Sequence, residues 1–166
     1  MDHTSFTIDL ATRNDLAGIL DLQERNLYQH GGKLSIRWPA DWFEAAIAAM
    51  PLIVARSGGR VVGYLVSTPP AAQADMPIIQ AMLAAYPGSA GAYLYGPICV
   101  DDGQRNRGVA HSMFRELRAR LPGREGFTFI RHDNTPSRTA HAKMGLRDVG
   151  RFEHGGIEYV VAAYVG

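Results

Sequence analysis

Only one cysteine, Cys99, occurs in this 166-residue chain, so no disulfide can close within it. No charged, apolar and small-residue cleavage sequence opens the chain either, and the two absences together point to a reducing cytoplasm. Long hydrophobic runs are missing too. Stretches such as Leu52 to Ala55 fall far short of the roughly 20 apolar residues that a bilayer-crossing helix needs, so no membrane partner is expected. An excess of one charge is lacking as well: 17 Lys and Arg stand against 16 Asp and Glu, a net charge of +1. Nucleic-acid binding relies on a basic surplus gathered on one face, so it is not expected here, and any anion site must be local. Neither a repeat, a linker nor a low-complexity segment divides the chain, and residues 1–166 read as one domain. What is present suits that reading. Apolar residues make up 46% of the chain, enough for a single core, and a domain of this size buries roughly two-thirds of its unfolded surface.

Phe6 to Leu10 alternates apolar and polar residues, as a half-buried strand does. Thr12 then precedes Asp15 and the apolar positions Leu16, Ile19, Leu20 and Leu22, which predicts a helix capped by Thr12 with Asp15 as its acidic partner. Gly31 and Gly32 break the periodicity of "NLYQHGGKLSIRWP" and predict an irregular loop. Pro39 to Met50 reads as an alanine-rich helix with Asp41 as its cap. Two apolar runs joined by Ser57, Gly58 and Gly59 predict a β-hairpin ended by Pro69 and Pro70. A short helix is expected around Ile78 to Ala85. In the strand "AYLYGPICV", Gly96 and Pro97 predict a bulge or an edge, because proline cannot donate a ladder hydrogen bond. Residues 108 to 121 set Val109, Met113, Leu117 and Leu121 four apart and form an amphipathic helix. "FTFIRHD" is a further strand, Ser137 to Met144 a short helix ended by Gly145, and two closing strands pair around Gly155 and Gly156. The order is that of a mixed α/β or α+β domain.

The residues most indicative of function lie in "GQRNRGVAHSMF", where Gln104, Arg105, Asn106, Arg107 and Gly108 lead straight into the amphipathic helix. The first amides of a helix have no intrahelical acceptor and carry the positive end of its dipole, so a polar loop there can hold an anion. Gly108, lacking a Cβ, lets a phosphate approach the backbone, and Arg105 and Arg107 can add charge-assisted hydrogen bonds. A solvated surface turn is the other reading. The loop has neither the Lys and Ser/Thr of a Walker-type loop nor the three glycines of a dinucleotide fingerprint.

Arg105, Gly108 and Ala110, in the order Arg-x-x-Gly-x-Ala after a strand ending at Val100, resemble the acyl-CoA pyrophosphate loop of the GNAT superfamily of N-acyltransferases. "NTPSRTAHAKMGL" resembles that family's later motif through Asn134, Ser137, Lys143, Gly145 and Leu146. The opening strand, capped helix and hairpin match its N-terminal half. Asp102 stands where a proline is common and Asn106 where a glycine is common. The resemblance implies a central, mostly antiparallel sheet of about seven strands with about four helices, splayed between the strand ending at Val100 and the one beginning at Phe127 to admit acyl-CoA. It implies acetyl transfer from acetyl-CoA to a primary amine of a small molecule or peptide, with no metal. Carrier contacts are then expected at Ile98, Val100, Arg105, Asn106, Arg107, Gly108, Val109, Ala110, Asn134 and Ser137.

A bulge at Gly96 and Pro97 would free the Ile98 amide to serve as an oxyanion donor; an ordinary kink is the alternative. A thioester is already activated, so a neutral amine can attack it directly and the protein need supply only position, charge stabilisation and proton handling. Where the family commonly places an acidic tyrosine, this chain has His141, read as a general acid, a polar cofactor contact or a surface residue. Cys99 reads as a small core residue sooner than as a nucleophile. Glu24, Tyr28 and His30 border the expected acceptor side, where they read as solvated residues or as a base, and Trp38, Trp42 and Phe43 wall it or staple the second helix. Residues 71 to 90, with Met76, Met82 and Tyr86, read as an insertion over that side. The absent tyrosine also admits a non-catalytic acyl-CoA-binding regulatory module. A homodimer through the last strands is open on sequence grounds.

Overall fold

Asp15, the acidic residue expected beside the first helix cap, reaches back to the Thr12 amide at 2.8 Å, and the Asp15 amide in turn donates to the Thr12 carbonyl at 2.9 Å. This turn joins strand β1 (Thr7–Leu10) to helix α1 (Leu16–Arg25) in the computed structural model, which describes residues 5–34 and 36–166. The loop after α1 is less irregular than expected. It holds a short helical turn at Tyr28–His30 and an isolated bridge between Leu27 and Leu34, while Ser35 lies outside the described residues. Helix α2 (Ala40–Ala49) is capped by Pro39, not Asp41: Pro39 is extended, with ψ 164°, and Asp41 falls inside the first turn, where its charge meets the positive helix end.

Strands β2 (Ile53–Ser57) and β3 (Arg60–Thr68) form the expected hairpin, with Gly58 and Gly59 both at positive φ in the turn. Helix α3 (Pro77–Ala85), strand β4 (Tyr93–Val100) and helix α4 (Val109–Arg120) follow. The chain then forms strand β5 (Glu125–Arg131), helix α5 (Thr135–Lys143), and strands β6 (Arg147–His154) and β7 (Ile157–Val165). Helix α5 begins two residues earlier than expected because Asn134 caps it and Pro136 occupies its first turn, where a missing N–H costs nothing. It ends as expected: Leu146 donates to the His141 carbonyl and Gly145, at φ +97°, to that of Ala142, which is a Schellman closure.

Among the described residues, seven strands in the order β1-β2-β3-β4-β5-β7-β6 make the mixed, mostly antiparallel fold that was expected, with five α-helices where about four were expected. β4 is an interior strand, not an edge. Its parallel ladder with β5 joins Tyr93 to Gly126 and Leu94 to Phe127, and so lies before Pro97, whose missing N–H that ladder does not need. Gly96 adopts φ +106°, a region that favours glycine.

By contacts the chain forms two compact units, Met1–Ser67 with Gly96–Arg120 and Thr68–Tyr95 with Leu121–Gly166. In the first, β2 and β3 shift register between Ala55 and Arg56: Arg56 opposes Val61 while Ala55 opposes Gly63, leaving Val62 as an extra residue. This bulge puts Val61 with Tyr64 and Val66 in the core formed with Ile19, Leu22 and Phe43 of α1 and α2. Gly63 faces α4 instead, where an added Cβ would meet Met113 at 3.1 Å and Val109 at 3.2 Å. Absence of a side chain at Gly63 thus lets the start of α4 lie close to the sheet. In the second unit, Ile79 and Met82 of α3 pack with Leu94, Phe127, Val161 and Ala163 of the strands. Among the described residues, no helix is long and apolar enough to cross a membrane.

Candidate active site

The entrance to α4 is built by two residues in the left-handed region, Asn106 at φ 61° and Gly108 at φ 80°. Open space surrounds the position a Cβ would take on Gly108, so glycine is required there by backbone conformation and not by crowding. Among the described residues, the backbone amides from Asn106 to His111 donate to no protein acceptor, the helix ladder beginning when Ser112 donates to the Gly108 carbonyl at 2.9 Å. Unpaired amides, the positive dipole end and Arg107, which makes no ion pair among the described residues, create a concentrated anion-attracting spot. Arg105 is tethered: its Nη2 donates to Asn26 Oδ1 at 3.0 Å, and its Nη1 pairs with Asp102 at 2.8 Å.

Val109 is buried in the first turn of α4, and Ala110 follows it half-buried. On β4, Ile98 and Val100 flank the buried Cys99. Burial pushes the Cys99 thiol up to about 12, against the opposing pull of the Arg105 charge, so it stays protonated and unreactive at neutral pH. Beside it, burial also raises the Tyr64 hydroxyl above its ordinary range.

The expected acceptor-side residues are engaged with one another. Glu24 accepts from Arg37 at 2.7 Å and lies 3.3 Å from His30 Nε2, whereas Tyr28 is exposed. The Gln23 amide holds both backbone groups of Trp38, at 2.8 and 2.9 Å. Trp38 stacks on Trp42 at 4.0 Å, and Phe43 meets Tyr64 edge-on, which favours stapling over a free wall.

In the second unit, Asn134 Oδ1 accepts the Ser137 amide and caps α5. One turn later, His141 is 8% exposed, its ring edge-on to that of Tyr95. Its Nδ1 lies 2.7 Å from the Ser137 carbonyl, which can only accept, so Nδ1 carries the proton and Nε2 holds the lone pair. Burial holds the His141 pKa below its usual value, partly offset by that carbonyl, so the ring is neutral at pH 7. Sequence reasoning placed His141 but missed both the tautomer and Asn26, whose partner is 79 residues away. Met82 of the expected insertion lies in the second unit's core, Met76 and Tyr86 pack against it, and Tyr86 donates to Glu125 at 2.6 Å. Among the described residues, no cluster of three or more His, Cys, Asp or Glu could hold a metal.

Residues 16–146 match the Acetyltransferase (GNAT) family. The chain belongs to that family. No curated protein matches this GNAT chain by sequence. By structure it is similar to the ribosomal-protein-alanine N-acetyltransferase of Brucella melitensis, with TM-score 0.68 and 18% identity over 96% of this chain and 99% of that one. It is similar also to a GNAT-family acetyltransferase of Bacillus cereus ATCC 10987, with TM-score 0.71 and 13% identity over 97% of each chain. A third likeness is to yncA of Salmonella typhimurium, solved with its cofactor acetyl-CoA, at TM-score 0.68 and 15% identity over 97% of this chain and 94% of that one. These identities establish a shared fold, and the GNAT assignment establishes acetyl transfer in general.

Proposed function

We propose that this protein transfers an acetyl group from acetyl-CoA to a primary amine of a small molecule or peptide by direct attack on the thioester, and that residues 1–166 work as one N-acetyltransferase domain. The observation that carries the reading is the run of unsatisfied amides from Asn106 to His111, with Arg105 just before it and Arg107 within it, in a member of an acetyltransferase family. These amides, with Val109 and Ala110 at the helix entrance, take the carrier's diphosphate, and Asn134 and Ser137 at the start of α5 supply further contacts. The short β4–β5 ladder supports leaving Ile98 and Val100 to pair with the carrier's amide-bearing arm. The Ile98 amide is assigned to the thioester oxygen, where such a donor stabilises the developing negative charge.

Proton handling falls to His141. Its neutral tautomer offers Nε2 as an acceptor, so the ring takes the proton that the attacking amine sheds. The resulting imidazolium hands that proton to the departing sulfur as the carbon–sulfur bond breaks. His141 is thereby an acid only after it has been a base. A reducing cytoplasm suits the lone buried thiol.

Thiol release from acetyl-CoA in the presence of a panel of primary amines tests the activity. Tight CoA binding with no release on any amine would identify the binding module, and no thermal shift with CoA would overturn the carrier site. Gly108→Ala is expected to weaken CoA binding about tenfold, because an alanine at φ 80° costs roughly 1–2 kcal/mol and turns the amides away. Calorimetry with CoA measures this, and unchanged affinity would count against the loop.

A further inference from the structure

Arg105 has two tethers of opposite kind. Asn26 is 4% exposed and fixed from every side. Its Nδ2 donates to the Leu22 carbonyl at 2.8 Å, which settles the amide's orientation and turns Oδ1 toward Arg105. Its own carbonyl accepts the Leu34 amide at 3.0 Å, and Gly32 comes so near that an added Cβ would lie 1.9 Å from that oxygen. Loop 27–34 is therefore closed around Asn26, and the side chain is held as a buried acceptor between Leu22 and Arg105. The second tether, Asp102, is 80% exposed, and an exposed ion pair of that sort contributes little.

The chemistry of the two tethers differs in one decisive respect. Asn26 holds the guanidinium through a neutral oxygen and leaves its positive charge intact, whereas Asp102 cancels that charge. The neighbouring Arg25 shows what two carboxylates do: it is bound by Asp21 at 3.1 Å and by Asp101 at 2.8 Å. We infer that Asn26 is a positioning residue for the carrier, holding Arg105 at the α4 entrance through a neutral oxygen, with the exposed Asp102 as the counter-ion that the carrier's diphosphate displaces. The inference rests on the acetyl-CoA reading above and adds to it a residue outside the loop. Ordering entropy that the carrier would otherwise spend on a free arginine side chain is already spent in the folded chain.

Dissociation constants for free CoA, measured calorimetrically on the full chain, test it. Asn26→Ala is expected to weaken binding about three- to tenfold and Arg105→Ala about tenfold, with the double variant no weaker than Arg105→Ala alone, since Asn26 acts through that arginine. Asp102→Asn is expected to tighten binding about two- to fivefold, and this variant decides the matter should Asn26→Ala fail to fold. A merely structural Asn26 would lower the thermal midpoint while CoA affinity held, or add its loss to that of Arg105→Ala; either result overturns the inference, as does unchanged or weaker binding by Asp102→Asn. Wild-type protein that binds CoA through Arg105 but ignores Asn26 overturns this inference alone. Wild-type protein that binds no CoA overturns the proposed function and this inference with it.

Discussion

Replacing His141 by phenylalanine is expected to lower kcat about a hundredfold or more while CoA affinity changes by less than about threefold. General acid–base groups contribute roughly 10²- to 10⁴-fold, and a phenyl ring fills the same space beside Tyr95 without any proton-carrying atom. The pH profile sharpens the test. His141 accepts a proton only while neutral, and burial keeps its pKa below the ordinary 6.5, so wild-type kcat should fall only as pH drops below that value. An acceptor amine whose own pKa lies well below the acid limb stays neutral across it and isolates the contribution of His141. His141→Phe should abolish it. A variant that keeps both its rate and its acid limb would remove His141 from the chemistry and leave proton transfer to solvent.

The parts of the fold legible in the sequence are those fixed by local rules. Thr12 with Asp15, the Gly58-Gly59 turn and Gly145 after α5 each require a specific backbone geometry over a few residues, and each is found where the pattern set it. The α4 entrance was legible for the same reason, since Arg105, Gly108 and Ala110 lie within one turn of chain. Asp41 misled because an acidic residue near a helix start suits both the cap and the first turn; the extended Pro39 took the cap. The Gly96-Pro97 pair suggested a bulge or an edge because a missing donor normally excludes a regular interior strand, and the edge reading failed because the β5 ladder is confined to Tyr93 and Leu94.

Long-range pairings were not legible. Asn26 meets Arg105, Gln23 clamps Trp38, and Arg56 reaches Asp15, and no periodicity encodes which polar side chain will meet which across tens of residues. The protonation geometry of His141 was equally hidden, because it follows from a contact with the backbone carbonyl four residues earlier that forms only once the helix is folded and the ring is buried. Residue identities thus indicated the class of chemistry, while the tautomer of His141 came only from the folded helix.

Asp15→Ala is expected to reduce folding stability by about 3 kcal/mol, the low end for breaking a buried ion pair, because Arg56 retains some access to water. The carboxylate is gripped by both arms of a guanidinium fork, Arg56 Nε at 2.8 Å and Nη2 at 2.6 Å, and by the Thr12 amide at 2.8 Å. Burial alone would raise its pKa, but the Arg56 and Thr12 donors outweigh that cost and hold it below the usual carboxylate value. The stabilisation is therefore complete above about pH 4, where an unfolded carboxylate is ionised, and is lost as pH falls from there through the lower folded pKa. Urea unfolding of wild type and variant at pH 7, 5 and 3 measures the difference: the gap should hold between 7 and 5 and narrow at 3. A gap independent of pH would mean that Asp15 contributes by shape alone. CoA affinity of the folded variant should stay within about twofold of wild type, because Asp15 stabilises the first unit without touching Arg105, Asn26 or the amides of α4.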